Sequence, residues 1–446
     1  MPSTATAADH AALRDEALPL VRDLLRLDTT NGAETPAAVL LKEYLEAAGV
    51  ACELVARDPD RANLVARIPG RGEGPSIALL GHTDVVPAGR AADWTHPPFS
   101  GHVDEAGWLW GRGAADMKNE TATRAVTLAL LARSGFQPAG DIVFIAESDE
   151  EDGAAKVGLE WLVEARPDIR TEYAINEGGG DRLTLADGRI AVLIGVGEKR
   201  TLPVAVTALG EAAHASRPTA GANAVPRLAR LVERLAGHRP EGRLLPVTAT
   251  MLEVLTGGPV DDLATAARIA AALHPSFEHT IPALLGTTVA PTQLTGSAAR
   301  NVMPGRATVT CDCRLLPDTG APELEAELRA VLGADVPYDL EFLAGPLGGT
   351  VSPLDTPLYE AIRAVLQRHD PEAVLVPTMT TRFTDSHFLR EAFGTVAYGF
   401  WPLRHTPAEV VADGIHNRDE RLHVDDLGYA VAFHLDVVRR IAGQGG

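Results

Sequence analysis

The chain has 446 residues, enough for two or three domains with at least one large core. Its 46% apolar and 22% charged residues exclude a mainly disordered chain, and forty basic against sixty acidic residues leave a formal net charge of −20 that opposes nucleic acid and anionic membranes as partners. Three cysteines cannot build a disulfide framework, and no stretch approaches the roughly 20 apolar residues of a membrane span. With no basic and apolar signal regions in MPSTATAADHAALRDEA, a reducing, cytoplasmic location is expected.

Apolar residues at helical spacing predict helices over 11–27 and 36–49. Short apolar runs at 63–68 (NLVARI), 76–80 (SIALL) and 141–147 (DIVFIAE) predict strands, with a helix over 120–135 between the last two. Strands alternating with helices argue for an α/β layer structure whose ligands gather at strand C-terminal ends. Residues 201–208 and 306–315 alternate as half-buried strands do, and 222–236 reads as an amphipathic helix despite Pro226. The middle of the chain is therefore expected to be a smaller α+β unit. Helical patterns at 321–334 and 356–368, apolar runs at 373–377 and 396–400, and a helix from about 425 return to the first style.

Candidate chemistry sits at the ends of these elements. In SIALLGHTDVVP, His82 and Asp84 follow a buried strand and face the same side of an extended chain, so one can ligate a metal while the other orients it. A capped turn is the competing reading. Asp116 in LWGRGAADMKNE precedes a helix, where a carboxylate can bridge two cations or serve as an N-cap. In IAESDEEDG, five acidic residues from Glu147 to Asp152 repel one another unless cations or water neutralise them. Glu177 follows another apolar strand and precedes three glycines, and His416 lies in ADGIHNRDERL. No motif gives a role to His387, His405 or His423. Histidine and carboxylate donors from several strand ends, with almost no cysteine, suit a hydrolytic Zn²⁺ site with N and O ligands. Two metals sharing an aspartate would activate water, and an unligated glutamate would move its proton.

The order GHTDVVP, GRGAADMK, SDEEDG, NEGGG, AAHASRP, NVMPGRATVTCDCRLLP and IHNRDERL resembles the co-catalytic di-zinc metallopeptidase family of aminoacylase, acetylornithine deacetylase, succinyl-diaminopimelate desuccinylase and glutamate carboxypeptidase, from about residue 10 to 440. The resemblance implies a zinc-peptidase-like α/β catalytic domain, a mixed central sheet flanked by helices, over 1–197 and 317–446. An α+β lid or dimerisation domain is inserted over 198–316. It implies two divalent ions, Zn²⁺ by default with Co²⁺ or Mn²⁺ as alternatives. His82 and Glu177 would hold one, Glu151 and His416 the other, and Asp116 would bridge them. Glu150 would be the general base and Asp84 would fix the His82 tautomer. His214 in AAHASRP would polarise the scissile carbonyl, from its own or a neighbouring subunit.

Arg314 and Asn301 would bind the substrate's free carboxylate, with a surface salt bridge as the competing reading for Arg314. Cys311 and Cys313 face the other side of that strand and read as core. Two departures from the family pattern are Asn119 and Glu120 in place of glycines after DMK, and Arg382 and Phe383 in place of small residues in TRFTDSHF. Glutamate at 177, where many relatives have aspartate, favours N-acyl amino acids or short peptides over desuccinylation. The function implied is hydrolysis of an amide or peptide bond next to a free-carboxylate amino acid in a small molecule or short peptide, by an enzyme that can dimerise through the lid. A catalytically silent metal-binding relative and an aminopeptidase are the alternatives.

Overall fold

The computed structural model describes residues 7–30 and 32–443; the first six residues of the segment read for a secretion signal lie outside that range. The chain forms two compact units. One takes the chain up to Val196, Ser352–Thr378 and everything from Thr384; the other is Gly197–Val351 with Met379–Phe383.

Among the described residues, the first unit is built on a nine-stranded mixed sheet. At its centre Ile142–Glu147, Ile77–His82 and Tyr173–Asn176 are parallel neighbours, and Val396–Gly399 continues the parallel run beside Tyr173–Asn176. Both IALLGH and IVFIAE are buried at every position, as strands covered on both faces must be. Ala78, Leu80, Val143 and Ile145 pack with Leu159, Leu162 and Leu389 on one face. The alternate Leu79 and Phe144, also fully buried, point the other way. Helices Ala7–Leu25, Lys118–Arg133, Pro357–His369 and Asp425–Ala442 pack together, with Lys118–Arg133 also against the strand Ile77–His82. Gly81 permits that approach, because a Cβ there would lie 2.3 Å from Thr121 Oγ1. Parallel neighbours end on the same edge, so this connectivity brings His82, the acidic loop after Glu147 and Glu177 to one side of the sheet.

In the second unit, Val204–Leu209 and Arg306–Leu315 pair antiparallel, flanked by Tyr338–Phe342 and by Thr288–Thr295. Helices Ala224–Ala236 and Ala321–Leu332 cover the sheet through Leu228, Leu231, Leu324 and Leu328. The Asn223 side chain caps the first of these by accepting from Val225 N at 3.0 Å. Pro226 stands in its first turn, where no intrahelical N–H bond is lost. This unit extends past the expected end at 316, because Ala321–Leu332 shares its core and Tyr338–Phe342 hydrogen-bonds to Val204–Leu209. Cys311 and Cys313 are buried in it, while Asp312 and Arg314 face the other side of their strand. No described helix is long and apolar enough to cross a membrane.

Candidate metal centre

His82 is the last residue of its strand, and its Nδ1 lies 3.0 Å from the Asp84 main-chain carbonyl and 3.5 Å from Asp84 Oδ1. With Nδ1–H donated there, the Nε2 lone pair faces inward. That nitrogen is 3.3 Å from Asp116 Oδ1 and 3.9 Å from Glu150 Oε2. The other oxygen of the same carboxylate, Asp116 Oδ2, is 3.4 Å from His416 Nε2, which is 2.9 Å from Glu151 Oε2. Asp116 does not cap the helix it precedes; Met117 holds the cap position. The side chains thus fall into two ligand groups, His82 with Asp116 and Glu177, and Asp116 with Glu151 and His416. Donor separations of 2.9–3.4 Å are those expected of atoms sharing an ion at about 2.1 Å. Asp84 also accepts from Glu151 N at 3.0 Å, tying the first histidine to the acidic loop.

The electrostatics point the same way. Burial and the Asp116 charge push Glu177 up to about 7. Burial, then the Glu177 charge, hold Glu150 well above the usual carboxyl range. Hydrogen bonds donated to Asp116 and Glu151 raise His416 to about 10. Burial opposes charge on His82 and on Asp116, yet hydrogen bonds win: those to Asp116 and Asp84 hold His82 well above its ordinary value, and those from His416 and His82 hold Asp116 below its own. Carboxyls and histidines that both reach for protons mark a site short of positive charge, which divalent cations supply. Glu151 Oε1, buried without a hydrogen-bond partner, is a further donor directed at such an ion. These residues fit two divalent ions.

The supporting residues were not read from the sequence. The buried Glu420 carboxylate accepts from Gly113 N at 3.0 Å, Ala115 N at 2.7 Å and Asp116 N at 2.9 Å, and from Arg112 Nη1 at 2.6 Å. It therefore holds the loop that aims Asp116. Glu120, one of the departures after DMK, pairs with Arg124 at 2.7 Å in the stretch of the helix, Lys118 to Ala129, that is buried at every position. Arg124 in turn donates to Leu80 O at 2.5 Å and Asn176 O at 2.9 Å, bracing the two strand ends that carry His82 and Glu177. An arginine in the apolar run TATRAVTLALL was the available signal for this pair. Asn63 Oδ1 accepts from Ser148 N at 3.0 Å, and Arg61 pairs with Asp149 at 3.0 Å, pinning the base of the acidic loop. Glu147 and Asp385 share a hydrogen bond; burial raises both carboxyls, with the Glu150 charge adding at Glu147 and the Glu147 charge adding at Asp385.

The remaining candidates lie in the second unit. His214 is exposed, and its Nδ1 accepts from Ser216 N at 3.2 Å with Ser216 Oγ at 2.7 Å, which leaves the proton on Nε2. Asn301 is adjacent, its carbonyl accepting from Ala215 N at 2.9 Å. Arg314 is engaged by Asp312 at 2.7 Å and 3.1 Å and by Thr201 Oγ1 at 2.9 Å, the salt bridge that competes with a substrate role.

Fold and donor set together define a metal-dependent hydrolase. The chain matches the model of peptidase family M20/M25/M40 over residues 78–440 and belongs to that family. It is 31% identical over 445 residues to a succinyl-diaminopimelate desuccinylase of Methylobacterium radiotolerans, covering 96% of this chain and 97% of that one. Its fold is similar to that of an M20 family metallo-carboxypeptidase from Sulfolobus solfataricus, with TM-score 0.71 at 18% identity, covering 96% and 100% of the two chains. A Bacillus subtilis protein described as a dinuclear metal binding peptidase of the M20 family superposes with TM-score 0.59 at 15% identity over 97% and 99%.

Proposed function

We propose that the protein hydrolyses an amide bond next to an amino acid with a free carboxylate, in an N-acyl amino acid or a short peptide. The observation that carries this reading is the Asp116 carboxylate, with one oxygen toward His82 and the other toward His416. Two divalent ions, Zn²⁺ by default, would be held by His82, Asp116 and Glu177 and by Asp116, Glu151 and His416, and would supply Lewis acidity to water and carbonyl. Glu150 takes one proton from water as the C–O bond forms at the carbonyl carbon, and then gives it to the amine nitrogen as the C–N bond breaks. Asp84 keeps His82 oriented, and His214, with its proton on Nε2, is the donor for the carbonyl oxygen.

Arg314 and Asn301 are the proposed carboxylate anchor, which requires Arg314 to leave Asp312 for substrate. We assign the second unit as the lid and dimerisation domain. Its edge strand Thr288–Thr295, with Leu294 66% exposed, supports pairing with a second copy. Three free cysteines are in keeping with a cytoplasmic setting. The name of the Methylobacterium radiotolerans relative supports a second reading, in which the acyl group is succinyl.

A hydrolysis panel of N-acetyl, N-succinyl and dipeptide substrates on the metal-reconstituted protein separates these readings. A blocked N-terminus that stops cleavage would indicate an aminopeptidase, and no turnover on any member a silent relative. Glu150→Ala is expected to lower kcat by about 10³-fold or more while two metals stay bound. Substantial residual turnover would remove Glu150 from the role of base.

A further inference from the structure

A second cluster of donors lies outside the centre described above. His405, His423 and Asp425 each offer a ligand atom, and the three atoms lie within 4.8 Å of one another. They come from the loop after strand Val396–Gly399, the end of strand Arg421–His423 and the first residue of helix Asp425–Ala442. We propose that these three residues form an additional binding site for a divalent transition-metal ion.

Groups that are not ligands hold the backbone of the site in place. The buried Asp426 carboxylate accepts from Arg404 N at 2.7 Å, His405 N at 2.8 Å and Thr406 N at 2.8 Å. Thr406 Oγ1 accepts from His423 N at 2.7 Å, so the two histidine segments are tied to each other and to the helix start. The His423 ring is also oriented. Its Nε2 is 3.2 Å from Ala106 O, and Gly107 makes room for it, since a Cβ there would lie 2.8 Å from that nitrogen.

With Nε2–H donated to Ala106, Nδ1 carries the lone pair, and it faces Asp425 Oδ2 at 3.6 Å. The separation is close to the roughly 3.4 Å edge of a tetrahedron with bonds of about 2.1 Å. Asp425 N donates to the same nitrogen at 3.3 Å, a long hydrogen bond that an ion would replace. Asp425 Oδ1 is occupied by Arg14 Nη1 at 2.8 Å, which orients the carboxylate and leaves Oδ2 as the donor. His405 is exposed, and its ring stacks near that of His423, with centroids 5.6 Å apart and planes 29° apart, which keeps one of its nitrogens within 4.8 Å of the other two donor atoms.

Two imidazoles and one carboxylate favour Zn²⁺, Ni²⁺ or Cu²⁺ over Mg²⁺ or Ca²⁺, with water completing the shell. Arg14 and the amides at the start of the helix oppose a cation here, so this ion binds more weakly than ions at the His82–His416 centre. It would tie strand Arg421–His423, which follows His416 in the chain, to the C-terminal helix.

Zn²⁺ added to the full-length protein by equilibrium dialysis, with elemental analysis, tests the site. Wild type is expected to take up one more Zn²⁺ per chain than His405→Ala or Asp425→Asn, and that increment is expected to raise the melting temperature of wild type alone. Hydrolysis of the best panel substrate by both variants should equal that of wild type. The proposal is overturned if wild type and His405→Ala saturate at the same stoichiometry, or if the increment disappears only together with activity. Because the readout is a difference between wild type and variant, it holds whatever number of ions the His82–His416 centre takes.

Discussion

Around their candidate residues the two units treat charge in opposite ways. In the first, polar and charged side chains packed behind the candidate centre are committed to holding it: Glu420 to the Asp116 loop, Arg124 to the strand ends below His82 and Glu177, Asn63 and Arg61 to the acidic loop. In the second, the inner face of the sheet is apolar, and pairs such as Arg314–Asp312 and Arg306–Asp339 stand on its outer side. A buried charge without its partner costs several kcal/mol, whereas an exposed pair contributes little. Positioning in the first unit is therefore rigid and costly to alter, while the second unit can release a side chain to a ligand at small expense.

Substitutions can break this contrast, and the largest effect is expected at Glu420. Glu420→Ala removes the acceptor for three backbone amides and strands Arg112, which is expected to cost about 3–5 kcal/mol of stability. It should also weaken metal binding about 10–100-fold, read by competition with a chelator. Metal affinity equal to wild type would show that the loop holds Asp116 without its buried anchor.

A smaller effect is expected from pH. Burial, with the Arg124 charge, pushes His434 down to about 3, so the unfolded chain binds this proton more readily than the folded one. The stability it contributes is complete above the unfolded value near 6.5 and is lost as pH falls toward 3. By pH 5 the loss is about 2 kcal/mol. Urea midpoints of wild type should fall more steeply from pH 7.5 to 5 than those of His434→Gln, and parallel slopes would place the proton elsewhere.

Arg314→Ala is expected to change stability least, by about 1 kcal/mol or less, because its pair is partly exposed. If the second unit does release Arg314 to substrate, the same variant should raise KM for free-carboxylate substrates far more than for their amides. Equal losses would leave it as a surface salt bridge.

Local pattern made much of the fold legible. Strands Asn63–Ile68 and Arg306–Leu315 lie where alternation and apolar runs place them, because burial of such runs needs no distant information. Helices Pro246–Thr256 and Pro275–Leu285 were not legible: each opens on a proline that punctuates a loop in sequence but suits the first turn of a helix. The end of the smaller unit was hidden for another reason, since Leu324 and Leu328 join its core only through packing.

The candidate centre divides along the same line. Residue type and motif order alone single out His82, Asp84, Asp116, Glu150, Glu151, Glu177 and His416, because N and O donors at strand ends have recognisable neighbours. Tertiary structure decides that one Asp116 oxygen faces His82 and the other His416, that Glu420 aims the loop between them, and that Arg314 rests on Asp312. It alone brings His405, His423 and Asp425 together. Distances between groups from opposite ends of a chain are set by how sheet and helices pack, and no local pattern carries them.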